Sequence, residues 1–61
     1  MEDIKKGDTI LLQDGTTHRT AVVVQDGLDS KGRIRCRPER FPMDISIPTT
    51  PNNEVYVLRK L

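Results

Sequence analysis

Apolar and polar residues alternate with a period of two in short runs along this chain, at residues 8–13, 18–25, 32–38, 42–48 and 54–60, and no segment reads as a helix. Each run is bounded by Gly, Pro, Asn or Asp, the residues that turn a chain between strands. The pattern predicts five strands in a very small all-β barrel.

The alternation also assigns faces. In the first run Ile10 and Leu12 point one way and Thr9, Leu11 and Gln13 the other, and Asp14-Gly15 is a turn signal. Residues 21–24, Ala-Val-Val-Val, are apolar on both faces, as expected of a central strand buried on at least one side. After a polar loop over residues 26–31, Ile34 and Cys36 alternate with Arg33, Arg35 and Arg37. The first pair is expected in the core and the arginines outside. Pro38 lacks the N–H that a ladder needs and should end the pairing.

The fourth run places Met43, Ile45 and Ile47 on the core side and Asp44 and Ser46 outside, with Pro48 closing it. Pro51-Asn52-Asn53 predicts a tight turn, with one turn of 3₁₀ helix as its variant. In the last run Val55 and Val57 oppose Tyr56 and Leu58. The chain holds no internal repeat, low-complexity tract or linker.

Composition agrees with the pattern. Val, Ile and Thr make up 16 of 61 residues, against one Ala and three Glu, a β-type balance. Leu, Ile, Val and Phe also number 16, above the range of disordered chains. A chain of this length buries only about 60% of its unfolded surface. With Phe41 and Tyr56 as the sole aromatics the core must be aliphatic, so a homo-oligomer is an open expectation.

Cys36 stands alone and excludes an internal disulfide, and residues 1–6 lack the apolar stretch of a secretory signal; both favour a cytoplasmic setting. No apolar run reaches the length of a membrane span. The start at Met1 and the close in Arg59-Lys60-Leu61 read as one complete small gene product, a single domain over residues 1–61.

Five short strands, one central apolar strand and a proline-containing turn before the last strand look like an SH3-like barrel. Gly7-Asp8-Thr9-Ile10-Leu11-Leu12, then Asp14-Gly15 and Ala21-Val22-Val23-Val24, resemble the start of KOW-type nucleic-acid-binding domains. The resemblance covers residues 1–27 and implies the barrel and nucleic-acid binding. Where KOW-like sequences usually place a glycine before the second apolar run, this chain has Thr20 and Ala21. A five-stranded OB-like barrel is the alternative architecture, although OB folds are usually longer.

Charge changes the picture most. The net charge is +1, yet residues 31–40 carry Lys31, Arg33, Arg35, Arg37 and Arg40 against Glu39 alone, and the remaining residues are net acidic. Strand geometry spaces alternate residues by about 6.7 Å, so Arg33, Arg35 and Arg37 form a row on one face. Guanidinium groups bind phosphate bidentately and stack on bases. The structural alternative is that these arginines pair across the sheet with Asp44 or Glu39. Phe41 and Tyr56 are candidate apolar anchors for a base or a partner side chain, or else core residues.

Other chemistry has little support. His18 has no second histidine or cysteine with which to hold zinc, and an alternating Cys36 should be buried and inert. Gly15, Gly27 and Gly32 are isolated turn glycines rather than a phosphate loop, and Asp8, Asp14, Asp26 and Asp29 sit where aspartate serves turns. No cofactor, metal or catalytic residue is expected. The sequence therefore points to a non-enzymatic binding module whose arginine face engages nucleic acid or a protein with an acidic patch. The rivals are a protein-interaction or inhibitor module of bacterial or phage origin, and an oligomeric binder of a small anionic ligand.

Overall fold

The computed structural model describes residues 3–61. Five strands, β1 (Thr9–Asp14), β2 (Thr17–Val23), β3 (Arg33–Pro38), β4 (Ile45–Pro48) and β5 (Val55–Lys60), form one antiparallel sheet in the order β4-β3-β2-β1-β5. The sheet curls so that its edge strands β4 and β5 approach each other without pairing, giving a half-barrel. No helix is present among the described residues, and none is long and apolar enough to cross a membrane.

β1 and β2 form a hairpin with six paired positions, from Thr9↔Val22 to Asp14↔Thr17. Gly15 has φ 62° while Thr16 is not left-handed, which is the φ pattern of a type II′ turn. β2 lies at the centre of the sheet, as its two-sided apolar run requires, with Ala21 and Val23 buried. β3 pairs with β2 over residues 36–38 and with β4 over residues 33–36.

The core consists of Ile4, Ile10, Leu12, Ala21, Val23, Ile34, Cys36, Ile47 and Val57, with Ile45 and Val55 packed against it. Ile4 is the member that alternation does not find, because it stands alone in a charged segment. Backbone bonds hold it: the Gly27 N–H donates to the Ile4 carbonyl at 2.8 Å and the Gly7 N–H to that of Val23 at 2.8 Å.

Two expectations are corrected. Met43 is 57% exposed rather than on the core side, because β4 begins only at Ile45 and Met43 lies in the bend before pairing starts. The turn at residues 51–53 contains no 3₁₀ helix. Instead the Asn52 amide donates to the carbonyls of Thr50 and Val55, both at 3.0 Å, and its oxygen accepts the Glu54 N–H at 2.7 Å. The side chain does the work that a helical turn would do.

β5 carries a bulge. Its register against β1 shifts between Leu11↔Arg59 and Leu12↔Val57, leaving Leu58 as the extra residue.

Candidate functional site

β3 sorts its residues by parity. Ile34, Cys36 and Pro38 are buried, while Arg33, Arg35 and Arg37 face outward and are exposed. The strand start is fixed by Asp29, whose carboxylate accepts the N–H groups of Lys31 at 2.8 Å and Arg33 at 2.9 Å. The Asp29 N–H in turn donates to the Arg33 carbonyl at 2.8 Å. The Arg33 N–H, then the Lys31 N–H, the Ser46 hydroxyl and the Arg33 charge hold the Asp29 carboxyl below its ordinary pKa. Asp29 is thus a turn-forming residue, as is Asp8, which accepts the Lys5 N–H at 2.9 Å; Asp26 instead ties its loop to the N-terminal segment by accepting the Lys6 N–H at 2.7 Å.

The three outward arginines are not equivalent. Arg37 donates through Nε to Asp44 Oδ1 at 2.8 Å, so one of the two expected cross-sheet pairings forms. The pair is half exposed and contributes only ~0–1 kcal/mol, but it holds the guanidinium in place. Arg35 reaches the Ser46 hydroxyl at 3.3 Å, a long contact with a neutral group. The Arg33 side chain makes no hydrogen bond or ion pair among the described residues. Arg33 and Arg35 therefore form no ion pair, although the Arg33 charge lies near enough to Asp29 to lower its pKa.

Beyond Pro38 the chain turns sharply. The Phe41 N–H donates to the Pro38 carbonyl at 3.1 Å, and the Glu39 N–H ties the turn to the Thr20 carbonyl of β2 at 2.9 Å. Arg40, third in this turn, has φ 63°, a left-handed conformation that type II turns usually reserve for Gly. No other non-glycine among the described residues has a positive φ. The turn leaves Phe41 43% exposed at the edge of a depression of about 410 Å³ lined by Val22, Val24, Arg37, Glu39, Arg40 and Phe41.

Val22 pairs with Arg37 in register and is 48% exposed, so the depression opens on the same face as the arginines. Phe41 also borders a second opening of about 220 Å³ at the mouth of the half-barrel, with Leu12, Ile45, Ile47 and Val55, where the Asp14–Arg19 ion pair at 3.0 Å forms part of the rim.

Of the candidate residues, Arg33, Arg35, Arg37, Arg40 and Phe41 come together along β3 and its C-terminal turn, and Lys31 stands exposed at the other end. Tyr56 is half-buried on β5, opposite Gln13, and does not line the depression with Arg37, Arg40 and Phe41. Val22 and Val24 join the site without having been singled out in the sequence. Their signal was the two-sided apolar run, but only the β2–β3 register brings them beside the arginines. Cys36 is fully buried, and burial, with the Asp44 charge adding, pushes its thiol pKa up to about 11. That removes the thiolate at neutral pH.

The chain matches no protein-family model, no curated protein and no solved structure.

Proposed function

We propose that this chain is a non-enzymatic, SH3-like binding module that holds nucleic acid against the outward face of β3. The observation that carries this reading is the pair Arg33 and Arg35, two exposed arginines without an ion pair on alternate positions of one strand face, their backbones about 6.7 Å apart. Such a spacing suits the successive anionic groups of a polymer, and arginine adds bidentate hydrogen bonds to phosphate. Lys31 and Arg40 extend the positive strip at either end. The KOW likeness of residues 1–27 points the same way. A binding role rather than catalysis is supported by the structural use of Asp8, Asp26 and Asp29 as acceptors of backbone N–H groups and by the un-ionised, buried Cys36.

The test is an NMR titration of the labelled protein with mixed-sequence DNA and RNA oligonucleotides at low and moderate salt. Amide shifts at residues 33–37 that fade as salt rises are expected, since released counterions set the salt slope. Their absence at low salt would end this reading. A second reading, a protein partner with an acidic patch, is favoured by the net charge of only +1, since dedicated nucleic-acid domains are commonly more basic. In that case the same residues shift with an acidic protein and not with oligonucleotides.

A further inference from the structure

The depression beside β3 does something that a row of cations alone does not. Val22, Val24 and Pro38 give it apolar lining, Phe41 an aromatic ring, and Arg37, Arg40 and Glu39 its charged groups. Asp44 already pairs with Arg37, so Arg37 is poorly suited to add charge for a phosphate, whereas the 2.8 Å bond from its Nε orients a planar guanidinium that can stack. Phe41 is set up by the left-handed Arg40, a conformation that costs energy and persists only where surrounding contacts impose it. A largely apolar depression lined by an aromatic ring and an arginine, at the end of a row of arginines of which Arg33 and Arg35 form no ion pair, is complementary to a flat ring attached to an anionic backbone.

We propose that this slot seats one unstacked base, and that the ligand of the β3 face is single-stranded rather than duplex nucleic acid. Arg33 and Arg35 take neighbouring phosphates while the base lies between Phe41 and Arg37. The proposal rests on the nucleic-acid reading above and adds the strandedness and the base contact. A duplex keeps its bases stacked and paired, so it offers the slot nothing, whereas a flexible strand can turn one base into it.

Fluorescence anisotropy with three probes of equal length, oligo-dT, an abasic strand and a duplex, separates the contributions. For the unaltered protein at one salt concentration, oligo-dT should bind about tenfold more tightly than the abasic strand, since base–aromatic stacking has this order of magnitude. It should also bind more tightly than the duplex. Phe41→Ala should remove that tenfold advantage and leave the salt slope unchanged. Arg33→Ala with Arg35→Ala should weaken oligo-dT and abasic strands alike and reduce the slope by about 0.7 per lost phosphate contact. Arg37→Lys, which keeps the charge and loses the plane, should behave as Phe41→Ala does.

Equal binding of oligo-dT and abasic strands, or a duplex bound as tightly as oligo-dT, overturns the base slot. In that outcome salt-dependent binding lost in the Arg33/Arg35 variant would leave the nucleic-acid reading standing. No salt-dependent binding of any probe overturns both. The first comparison uses the unaltered protein, so it does not depend on how any variant folds.

Discussion

The two halves of the sheet are built to different standards. β1 and β2 share six paired positions and a two-residue turn whose left-handed position is a glycine. β3 and β4 share four pairs and are joined through residues 39–44, where the left-handed position is an arginine. The first hairpin places a glycine where its turn needs one, while the second holds a left-handed Arg40, an exposed Phe41 and two arginines without an ion pair. Local consistency specifies a fold, and departures from it gather where a surface is used for something else.

The sharpest way to break this comparison is to ask whether the second half is integral to the fold or an appendage. Ile34 and Leu12 are both fully buried, one on each side of the divide. Ile34→Ala and Leu12→Ala should each cost ~2–5 kcal/mol in urea denaturation. A much smaller cost for Ile34→Ala would show that β3 adds little to the cooperative core.

A second contrast exchanges the left-handed positions. Gly15→Ala should destabilise by ~1–2 kcal/mol, because a side chain at φ 62° is strained although nothing crowds it. Arg40→Gly relieves the same strain and should stabilise by up to ~1 kcal/mol, part of the gain being offset by the added freedom of the unfolded chain. Thermal melts of the two variants shifting in the same direction would contradict the difference drawn here.

Acid should loosen both halves. The carboxyls of Asp8 and Asp29 are each held below 3.8, the first mainly by the Lys5 N–H with help from Lys60, the second mainly by the Arg33 N–H. A carboxyl whose folded pKa is depressed adds stability above its unfolded value, and that stability is lost as pH falls through the folded one. Stability should therefore decline below about pH 4, and Asp29→Asn and Asp8→Asn should each flatten the decline in a denaturant series. Smallest of all, Arg37→Ala should change stability by no more than ~1 kcal/mol. A larger loss would mean that the Asp44 pair supports the fold as well as orienting a side chain.

The same divide governs what could be read from the sequence. The Asp14-Gly15 turn, the central β2 and the inward Ile34 and Cys36 were legible because period-two alternation and turn chemistry are local signals. Met43 was misplaced because alternation continues through residues 42–44 where no partner strand exists. Ile4 was invisible, since its burial depends on bonds to Gly27 far along the chain. For the site, the arginine row could be read from spacing alone. The arrival of Val22 and Val24 beside Arg37, and the absence of Tyr56 from that depression, depend on register and sheet order, which spacing does not encode.

The bulge at Leu58 bears on how this chain tolerates insertion and deletion. Were Leu58 paired in a continuous ladder, the register would set Arg59 opposite Ile10, a fully buried position; with Leu58 bulged out, Arg59 stands opposite Leu11. Lys60 then takes the place beside Ile10 at the strand end, and its ammonium reaches the Asp3 carbonyl at 3.1 Å and the Asp8 carboxylate at 3.4 Å. The last strand thus carries one spare residue. Deleting Leu58 would remove the bulge and leave Arg59 opposite Leu11 and Lys60 opposite Ile10, whereas deleting a paired residue such as Tyr56 would shift one side of the ladder against the other.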